Sequence, residues 1–251
     1  MATEFIIEQL KKKFKNRESF SRSELFAFYQ KFEPDLKETT FRWRIYDLKQ
    51  KKIISSLAVG VFSLKYKPNF KPQAEDTATK IFNKLQKQFP DLKYCIWSTK
   101  IINEFMLHIP GTFTTIIEVE NDALEPAFDF LKESNFKNLY FEPQAKEMER
   151  YLSTTENGII LQSLVSKAPL QKVNKVATIT IEKLIVDLYC DKTVLNTYQG
   201  TELIHIINNA YNRYAIDFTK LFSYAKRRGK EQDIKEFFSK KTNISKTLIN
   251  D

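Results

Sequence analysis

The stretch from Lys37 to Lys52 constrains the fold of this chain more than any other segment. On a helix, Ile45 and Leu48 lie within about 40° of Phe41, so the three residues form one narrow apolar stripe. The rest of the surface carries polar, basic and aromatic side chains: Thr39, Arg42, Trp43, Tyr46, Lys49 and Gln50. The spacing therefore predicts a helix that packs through one side into a small core and presents a basic, partly aromatic side outward.

An outward face of this composition has two interpretations. The second helix of a helix-turn-helix lies in the major groove of DNA and touches phosphates on either side, and this composition suits that position. Alternatively, a charged helix face is commonly just solvated, and an exposed tryptophan can be covered by another domain. The neighbouring segments favour the first interpretation.

The composition and the cysteine content exclude several classes of protein. Hydrophobic residues make up 42% of the 251 residues, yet no apolar run reaches the roughly 18 residues that span a membrane. The first residues lack the pattern of a secretion signal, and Cys95 and Cys190 are too few for a disulfide scaffold. We therefore expect a cytoplasmic protein without a membrane partner. Because zinc-ligand spacing and a glycine-rich phosphate loop are both missing, we expect no metal and no cofactor.

The net charge of +9 is unevenly distributed along the chain. Residues 1–72 hold 16 Lys and Arg against 8 Asp and Glu, which gives +8. Residues 73–219 have a net charge of −4, and residues 220–251 have a net charge of +5. A basic N-terminal segment indicates a polyanionic partner, such as nucleic acid.

Residues 1–66, here called the N-terminal module, have the predicted element order of a winged helix-turn-helix. A first helix is expected over 3–14, and Ser21 and Glu24 have the spacing of a capping box that opens a second helix. Pro34 ends that second helix, and the segment described above forms the third.

A β-hairpin is predicted to follow the third helix. Strands over 53–57 and 61–65 flank a turn in which Gly60 can adopt a positive φ. The tip of the hairpin is nearly uncharged. We therefore expect phosphate contacts there to come from backbone amides or from Ser55 and Ser56.

The predicted interface with double-stranded DNA comprises the third helix and the residues next to it. Arginine and lysine suit phosphates or guanine edges, threonine suits the backbone or thymine methyls, and the aromatic residues add apolar contact or phosphate hydrogen bonds. The residues are Lys37, Thr39, Thr40, Arg42, Trp43, Arg44, Tyr46, Lys49, Lys51 and Lys52. Winged helices also bind proteins, and this alternative predicts no affinity for duplex DNA.

The rest of the chain is predicted to be a linker, residues 67–73, and a larger α/β domain, residues 74–251. Two prolines and the lack of periodicity indicate an extended linker. Helices interleaved with short strands give an α+β fold class for the chain. The predicted helices are 74–89, 99–107, 123–135, 144–152, 181–191, 200–213, 217–228 and 231–240, and the predicted strands are 92–98, 113–120, 137–141, 158–164 and 176–180.

Glu118 and Glu120 are the candidate catalytic pair. Alternation along their strand places both carboxylates on one face, which suits divalent cations in a metal-dependent nucleotidyltransferase or nuclease. No phosphate cradle precedes the strand, and the position where a nuclease carries Lys is Glu120. We favour the interpretation that both side chains are simply solvated and that the chain is not an enzyme.

A second basic surface is predicted near the end of the chain. Lys226, Arg227, Arg228 and Lys230 follow an amphipathic helix, and Gly229 is a candidate stop for that helix. Cations at a helix C-terminus favour the helix dipole, which accounts for part of the cluster. The alternative is a second surface for a polyanion or a protein partner.

Three segments resemble the AbiEi-type antitoxins of bacterial type IV toxin–antitoxin systems. Val59 to Leu64 is similar to the wing strand of that family, although Val59 stands where the family carries Arg. Thr180 to Tyr189 resembles a helix with an early Glu and a later Asp-Leu, without the usual flanking Pro and Arg. Phe222 to Gly229 resembles a late helix that ends in Tyr-Ala, basic residues and Gly.

The resemblance implies a transcriptional autorepressor. Such an antitoxin binds inverted repeats in its own promoter through its winged helix. Its C-terminal domain is nucleotidyltransferase-like in shape but not in activity, and it neutralises a toxin without forming a stable complex with it.

Overall fold

A computed structural model describes residues 2–73, 75–148 and 157–249 of the chain. Within these residues the protein is mixed α and β with small sheets, in agreement with the predicted fold class. None of the described helices is both long and apolar enough to cross a membrane.

Three helices and three short strands form the N-terminal module. In chain order they are α1 (Ala2–Phe14), β1 (Phe20–Ser21), α2 (Arg22–Gln30), α3 (Glu38–Gln50), β2 (Ser55–Ala58) and β3 (Val61–Ser63). β3 lies between β1 and β2 and is antiparallel to both. The two-residue strand β1 was not predicted, because its sequence carries no alternation that distinguishes it from a turn.

The predicted capping box at the start of α2 is confirmed. The Ser21 hydroxyl accepts a hydrogen bond from the Glu24 amide at 3.1 Å, and the Glu24 carboxylate accepts one from the Ser21 amide at 2.8 Å. The hairpin turn is also as predicted, since Gly60 has φ of +75°. These two features fix the start of α2 and the turn between β2 and β3.

The N-terminal module has a core rich in phenylalanine. Phe41 of α3 lies with its ring centroid 4.8 Å from that of Phe26, and Phe14 stacks on Phe20 at 4.1 Å. The buried side chains that share this core are Leu10, Phe14, Phe20, Leu25, Phe28, Tyr29, Leu36, Phe41, Leu48, Ile54 and Phe62. Helix α3 is therefore anchored by the apolar stripe that its sequence predicts.

The rest of the chain surrounds a four-stranded sheet. Its elements are α4 (Asp76–Gln88), β4 (Tyr94–Ser98), β5 (Thr114–Val119), α5 (Leu124–Glu133), β6 (Leu139–Phe141), α6 (Ala145–Glu147), β7 (Gly158–Ser163), β8 (Leu170–Val173), β9 (Val176–Ile179), α7 (Ile181–Cys190), α8 (Thr201–Arg213), α9 (Phe218–Arg227), α10 (Glu231–Lys241) and α11 (Lys246–Ile249). The strand order is β4-β5-β7-β6, in which β5, β7 and β6 are parallel and β4 is antiparallel to β5. β8 and β9 form a separate hairpin.

Helices cover both faces of this sheet. Ile117 and Val119 of β5 point to the side of α4 and α5, whereas Ile116 packs with α7, α8 and α9. A strand buried on both faces leaves no solvated side for alternate residues. This arrangement determines the environment of Glu118, which shares the face of Ile116.

Most predicted elements are confirmed, with differences at specific places. The predicted helix at 99–107 is a 3-10 helix over Thr99–Phe105. Strand β8 and the short helix α11 were not predicted. The predicted helix at 144–152 is represented by α6, and its residues 149–152 lie outside the described part of the chain, as does Ala74.

The N-terminal module packs against the larger part of the chain. Leu57 and Ala58 of β2 are buried in the same core as α7, α8 and α9, and the Val59 amide donates a hydrogen bond to the Thr219 hydroxyl at 3.0 Å. Within the segment 67–73, Phe70 is buried and its ring lies 5.2 Å from that of Tyr214. The hairpin and this segment therefore both contact the larger core.

Candidate nucleic-acid interface

The outward face of α3 is open to solvent. Trp43 is 71% exposed and Tyr46 is 56% exposed, and their rings make an edge contact at 5.7 Å. Phe41 and Leu48, on the opposite side, are buried. The predicted division of this helix into an apolar and an outward face is therefore confirmed.

Other polar residues of the predicted interface accompany these aromatic residues on the surface. Burial of the apolar stripe leaves their side chains outside the core. The exposed residues are Lys37, Thr39, Thr40, Arg42, Lys49, Lys51 and Lys52. The face thus combines hydroxyl groups, cations and aromatic rings, which are the groups that contact phosphates and base edges.

Two of the exposed cations pair with carboxylates of α3. The Arg42 Nε lies 3.4 Å from a Glu38 oxygen, and the Lys51 Nζ lies 2.7 Å from an Asp47 oxygen. Exposed pairs of this kind contribute only about 0–1 kcal/mol. A phosphate can therefore replace the carboxylate at little cost.

Arg44 differs from the other predicted contact residues. Its guanidinium pairs with Glu33 and lies 5.0 Å from the centroid of the Tyr29 ring, and its side chain is 29% exposed. Its Nη1 atom is buried and has no hydrogen-bond partner. The structure therefore places Arg44 at the side of the interface, with part of its hydrogen-bonding capacity unused.

The expected phosphate contacts at the hairpin are not supported by its geometry. The Val59 amide is bonded to Thr219, and Ser55 is buried and donates its hydroxyl hydrogen bond to the Lys65 carbonyl at 3.1 Å. Ser56 remains exposed. The Val59 amide and the Ser55 hydroxyl already have partners within the protein, because the hairpin tip packs on α9, a contact between residues distant in the sequence.

The four residues of the predicted second basic surface lie in different environments. Lys226 and Lys230 are exposed, and Lys230 lies 2.8 Å from Asp233. Arg227 donates to the Ser166 hydroxyl. Arg228 turns inward, where its Nη1 lies 3.6 Å from an Asp187 oxygen. The four residues therefore do not form one continuous cationic surface.

A buried ionic cluster lies between the sheet and α7 and α9. We use this name for Glu118, Lys183, Asp187, Tyr224 and Arg228. The Lys183 Nζ donates to both oxygens of Glu118, at 2.7 and 2.8 Å, and to Asp187. The Tyr224 hydroxyl donates to Asp187 at 2.8 Å. Ion pairs and hydrogen bonds within the cluster thus offset the cost of burying its charged groups away from solvent.

The ionisation of the buried ionic cluster follows from these contacts. Burial opposes the charge on Lys183, but the Asp187 and Glu118 carboxylates outweigh it and raise the pKa of Lys183 well above its ordinary value. Burial, followed by the charge of Asp187, raises the pKa of Tyr224. Burial also raises the pKa of Cys190, which lies beside Arg228. The Cys190 thiol therefore stays protonated at neutral pH.

A family model matches the chain over residues 40–244, and it is described as a family of unknown function, DUF6577. The chain belongs to the DUF6577 family. The matched region begins within α3 and includes every residue of the buried ionic cluster. No curated protein shows a significant match to the chain.

The candidate catalytic pair of this DUF6577 chain is not assembled as a pair. Glu118 is 2% exposed and is bound by Lys183, whereas Glu120 lies beyond the end of β5 and pairs with Lys93 at 3.0 Å. The interpretation that both carboxylates are solvated was wrong for Glu118, because α7 covers its face of the sheet. Among the described residues, no three His, Cys, Asp or Glu side chains are placed to hold a metal ion.

Sequence reasoning missed the buried ionic cluster of the DUF6577 domain, although one signal was present. Lys183 and Asp187 are one helical turn apart, and every described residue of α7 from Ile181 to Leu188 is buried. An ion pair at this spacing within a helix whose other residues, except Glu182, are aliphatic, Tyr or Cys indicates a charged group held in a core. The partners Glu118 and Tyr224 come from elements far away in the sequence.

Proposed function

We propose that this protein is a DNA-binding transcriptional regulator that reads duplex DNA through α3. The observation that carries the proposal is the outward face of α3, where exposed Arg42, Trp43 and Tyr46 stand on a helix fixed by buried Phe41 and Leu48. A helix held in this way keeps its outer side chains in position for a groove. The net charge of +8 over residues 1–72 supports a polyanionic partner.

The N-terminal module is proposed to be a winged helix-turn-helix. Its order of elements, α1-β1-α2-α3-β2-β3, and its sheet order, β1-β3-β2, support this assignment. In that arrangement α3 is the recognition helix, which enters the major groove. Because the hairpin tip packs on α9, we assign the main DNA contacts to α3 and its flanking residues rather than to the wing.

Each group on the interface has a proposed role. Arg42 and Lys49 contact phosphates or guanine edges, Thr39 and Thr40 contact the backbone or thymine methyls, and the remaining lysines at 37, 51 and 52 contact phosphates. Trp43 and Tyr46 supply apolar contact or phosphate hydrogen bonds. Arg44 acts at the edge of the interface, since Glu33 holds its guanidinium.

The finer proposal is an antitoxin-like autorepressor of a type IV toxin–antitoxin operon. It rests on the resemblance to AbiEi-type antitoxins, and it implies inverted repeats as the operator and a toxin that is neutralised without a stable complex. Two of the resembling segments contribute Lys183, Asp187, Tyr224 and Arg228 to the buried ionic cluster. The polar residues of these segments thus lie in the interior of the larger domain, and the proposal of a nucleotidyltransferase-like shape without that activity rests on the resemblance.

Selection from a pool of random duplex DNA tests the proposal. The full chain is expected to retain fragments that share one inverted-repeat sequence, and a mobility shift with a selected fragment should exceed that with a scrambled one. Trp43→Ala should weaken the shift, because it removes the largest exposed side chain of α3. A chain that binds no duplex at low salt would contradict the proposal and would favour a protein-binding winged helix.

A further inference from the structure

An open pocket of about 500 Å³ lies beside the interface, between α1 and α3. Its walls include the aliphatic side chains of Ile6, Ile7 and Leu48 and the ring of Tyr29. Trp43 and Tyr46 form part of the same lining. Pockets of about 300–1,000 Å³ with apolar walls and a few polar groups are typical of small-molecule sites.

Arg44 supplies the polar group that selects the ligand. It lines the pocket, Glu33 accepts from its Nη2, and its Nη1 is buried with no acceptor. A buried N–H without an acceptor costs about 1–3 kcal/mol, and more when the group is charged. When the Arg44 guanidinium turns toward the pocket, a ligand oxygen that accepts from Nη1 removes this cost, and a carboxylate does so most strongly.

The other charged residue of the lining does not call for a cationic ligand. Asp47 already accepts a hydrogen bond from Lys51 at 2.7 Å. Among the residues that line the pocket, the unmet group is therefore a donor, the buried Nη1 of Arg44, and the rest of the lining is mainly aliphatic or aromatic. This combination fits a molecule with an apolar body and a single acidic group.

We propose that this pocket binds a small aromatic or aliphatic carboxylate, with its acid group on Arg44 and its apolar body against Ile6, Ile7 and Leu48. The ligand also touches Trp43 and Tyr46. A second consequence rests on the proposed function of α3. The bound carboxylate alters DNA binding, because four residues of the proposed interface, Thr40, Trp43, Arg44 and Tyr46, line its site.

Acrylamide quenching of tryptophan fluorescence tests binding without any DNA. Trp43 is 71% exposed and Trp97 is 3% exposed, so a neutral quencher reports mainly on Trp43. The probes are 4-phenylbutyrate and its uncharged analogue 4-phenylbutyramide. The carboxylate is expected to protect Trp43 saturably, and the amide is expected to bind at least about tenfold more weakly, because it lacks the charged acceptor.

Matched variants locate the acid group. Arg44→Met should remove the preference for the carboxylate over the amide, whereas Arg42→Met should retain it, because Arg42 is an exposed arginine of the same helix outside the pocket. Circular dichroism checks that each variant is folded. Should Arg44→Met fail to fold, the comparison of the two probes on the wild-type chain still decides the matter.

Three results would overturn the inference. They are the absence of saturable protection by 4-phenylbutyrate, equal affinity for acid and amide, and protection of Trp43 that rises with protein concentration without any probe. The last result assigns the pocket to a second copy of the chain. Binding of the probe by a chain that ignores DNA would refute the proposed function alone, and DNA binding by a chain that ignores the probe would refute only the ligand site.

Discussion

Lys183 lies buried between two carboxylates in the interior of the larger domain. Its ammonium is fully buried and donates to two carboxylates from different elements, Glu118 on the sheet and Asp187 on the same helix. Both carboxylates are nearly inaccessible to solvent. Neither has access to enough water to stabilise its charge, so the lysine provides the compensating charge.

Replacing this lysine should be strongly destabilising. Lys183→Met leaves Glu118 and Asp187 buried without their shared cation, and breaking a buried pair costs about 3–5 kcal/mol. Urea denaturation at pH 7 measures the change in the free energy of unfolding. Lys93→Met is the control, because its partner Glu120 is outside the sheet and its own side chain is 76% exposed, so its loss should stay below about 1 kcal/mol. Equal losses for the two variants would contradict the account.

Tyr224 makes the stability of the protein depend on alkaline pH. Burial raises its folded-state pKa, so its contribution is fully present below the ordinary tyrosine pKa of about 10 and is lost as pH rises through the folded value. In Tyr224→Phe, the decline of the free energy of unfolding above pH 10 should be shallower by up to about 1.4 kcal/mol per pH unit. Tyr46→Phe, which removes a hydroxyl from an exposed ring, is the matched control. Parallel curves for the wild type and Tyr224→Phe would refute the assignment.

At the scale of elements, the hairpin of β2 and β3 links the two parts of the chain. Gly60 allows its tight turn with φ of +75°, and the neighbouring Val59 amide reaches Thr219 on α9. Leu57 and Ala58 enter the larger core from the same strand. The conformation of this one turn thus positions the contacts between the N-terminal module and α9.

A side chain at Gly60 should therefore be costly. Gly60→Ala places a Cβ on a left-handed residue, which costs about 1–2 kcal/mol, although the nearest side-chain atom, Cβ of Arg22, is 3.7 Å away and does not clash. Thermal and urea denaturation should show a loss of this size. Gly111→Ala is a suitable control, because the φ of Gly111 is not positive and its added Cβ would have no neighbouring atom within 4 Å. We expect little change in its free energy of unfolding. A neutral Gly60→Ala would show that the turn tolerates another conformation.

At the scale of the whole molecule, contacts at both ends of the N-terminal module join it to the larger domain. The hairpin packs on α9, Phe70 lies against Phe105 and Tyr214, and Ser19 approaches Thr247 near the end of the chain. Because β2 contributes Leu57 and Ala58 to the larger core, we expect the two parts of the chain to unfold in one cooperative step.

Cooperative unfolding can be tested by destabilising the N-terminal module and following the unfolding of the larger core. Phe28→Ala removes a buried ring from the core of the N-terminal module, which should cost about 3–5 kcal/mol. In a Trp43→Phe background, Trp97 is the one tryptophan of the chain and lies in the larger core, so its fluorescence reports on the other part of the chain. We expect the urea midpoint seen by Trp97 to fall in Phe28→Ala. An unchanged midpoint would mean that the two parts unfold independently.

The extent to which the sequence predicts this molecule depends on the range of each interaction. The faces of α3 and the capping box of Ser21 and Glu24 follow from spacings of a few residues, and both are confirmed. The prediction of a solvated Glu118 was wrong because the burial of this residue depends on Lys183, which is 65 residues away. Likewise, the Val59 amide at the hairpin tip is bonded to Thr219, which is 160 residues away in the sequence. Local periodicity carries no information about such partners.

The role of α3 in DNA binding is tested most directly by a salt titration. Fluorescence anisotropy on a selected duplex gives the affinity of the wild type, of Arg42→Ala and of the control Lys240→Ala, whose side chain is 66% exposed on α10. We expect Arg42→Ala to bind more weakly and to make the negative slope of log affinity against log salt shallower by about one, while Lys240→Ala matches the wild type. An Arg42→Ala variant with unchanged affinity and slope would contradict the account.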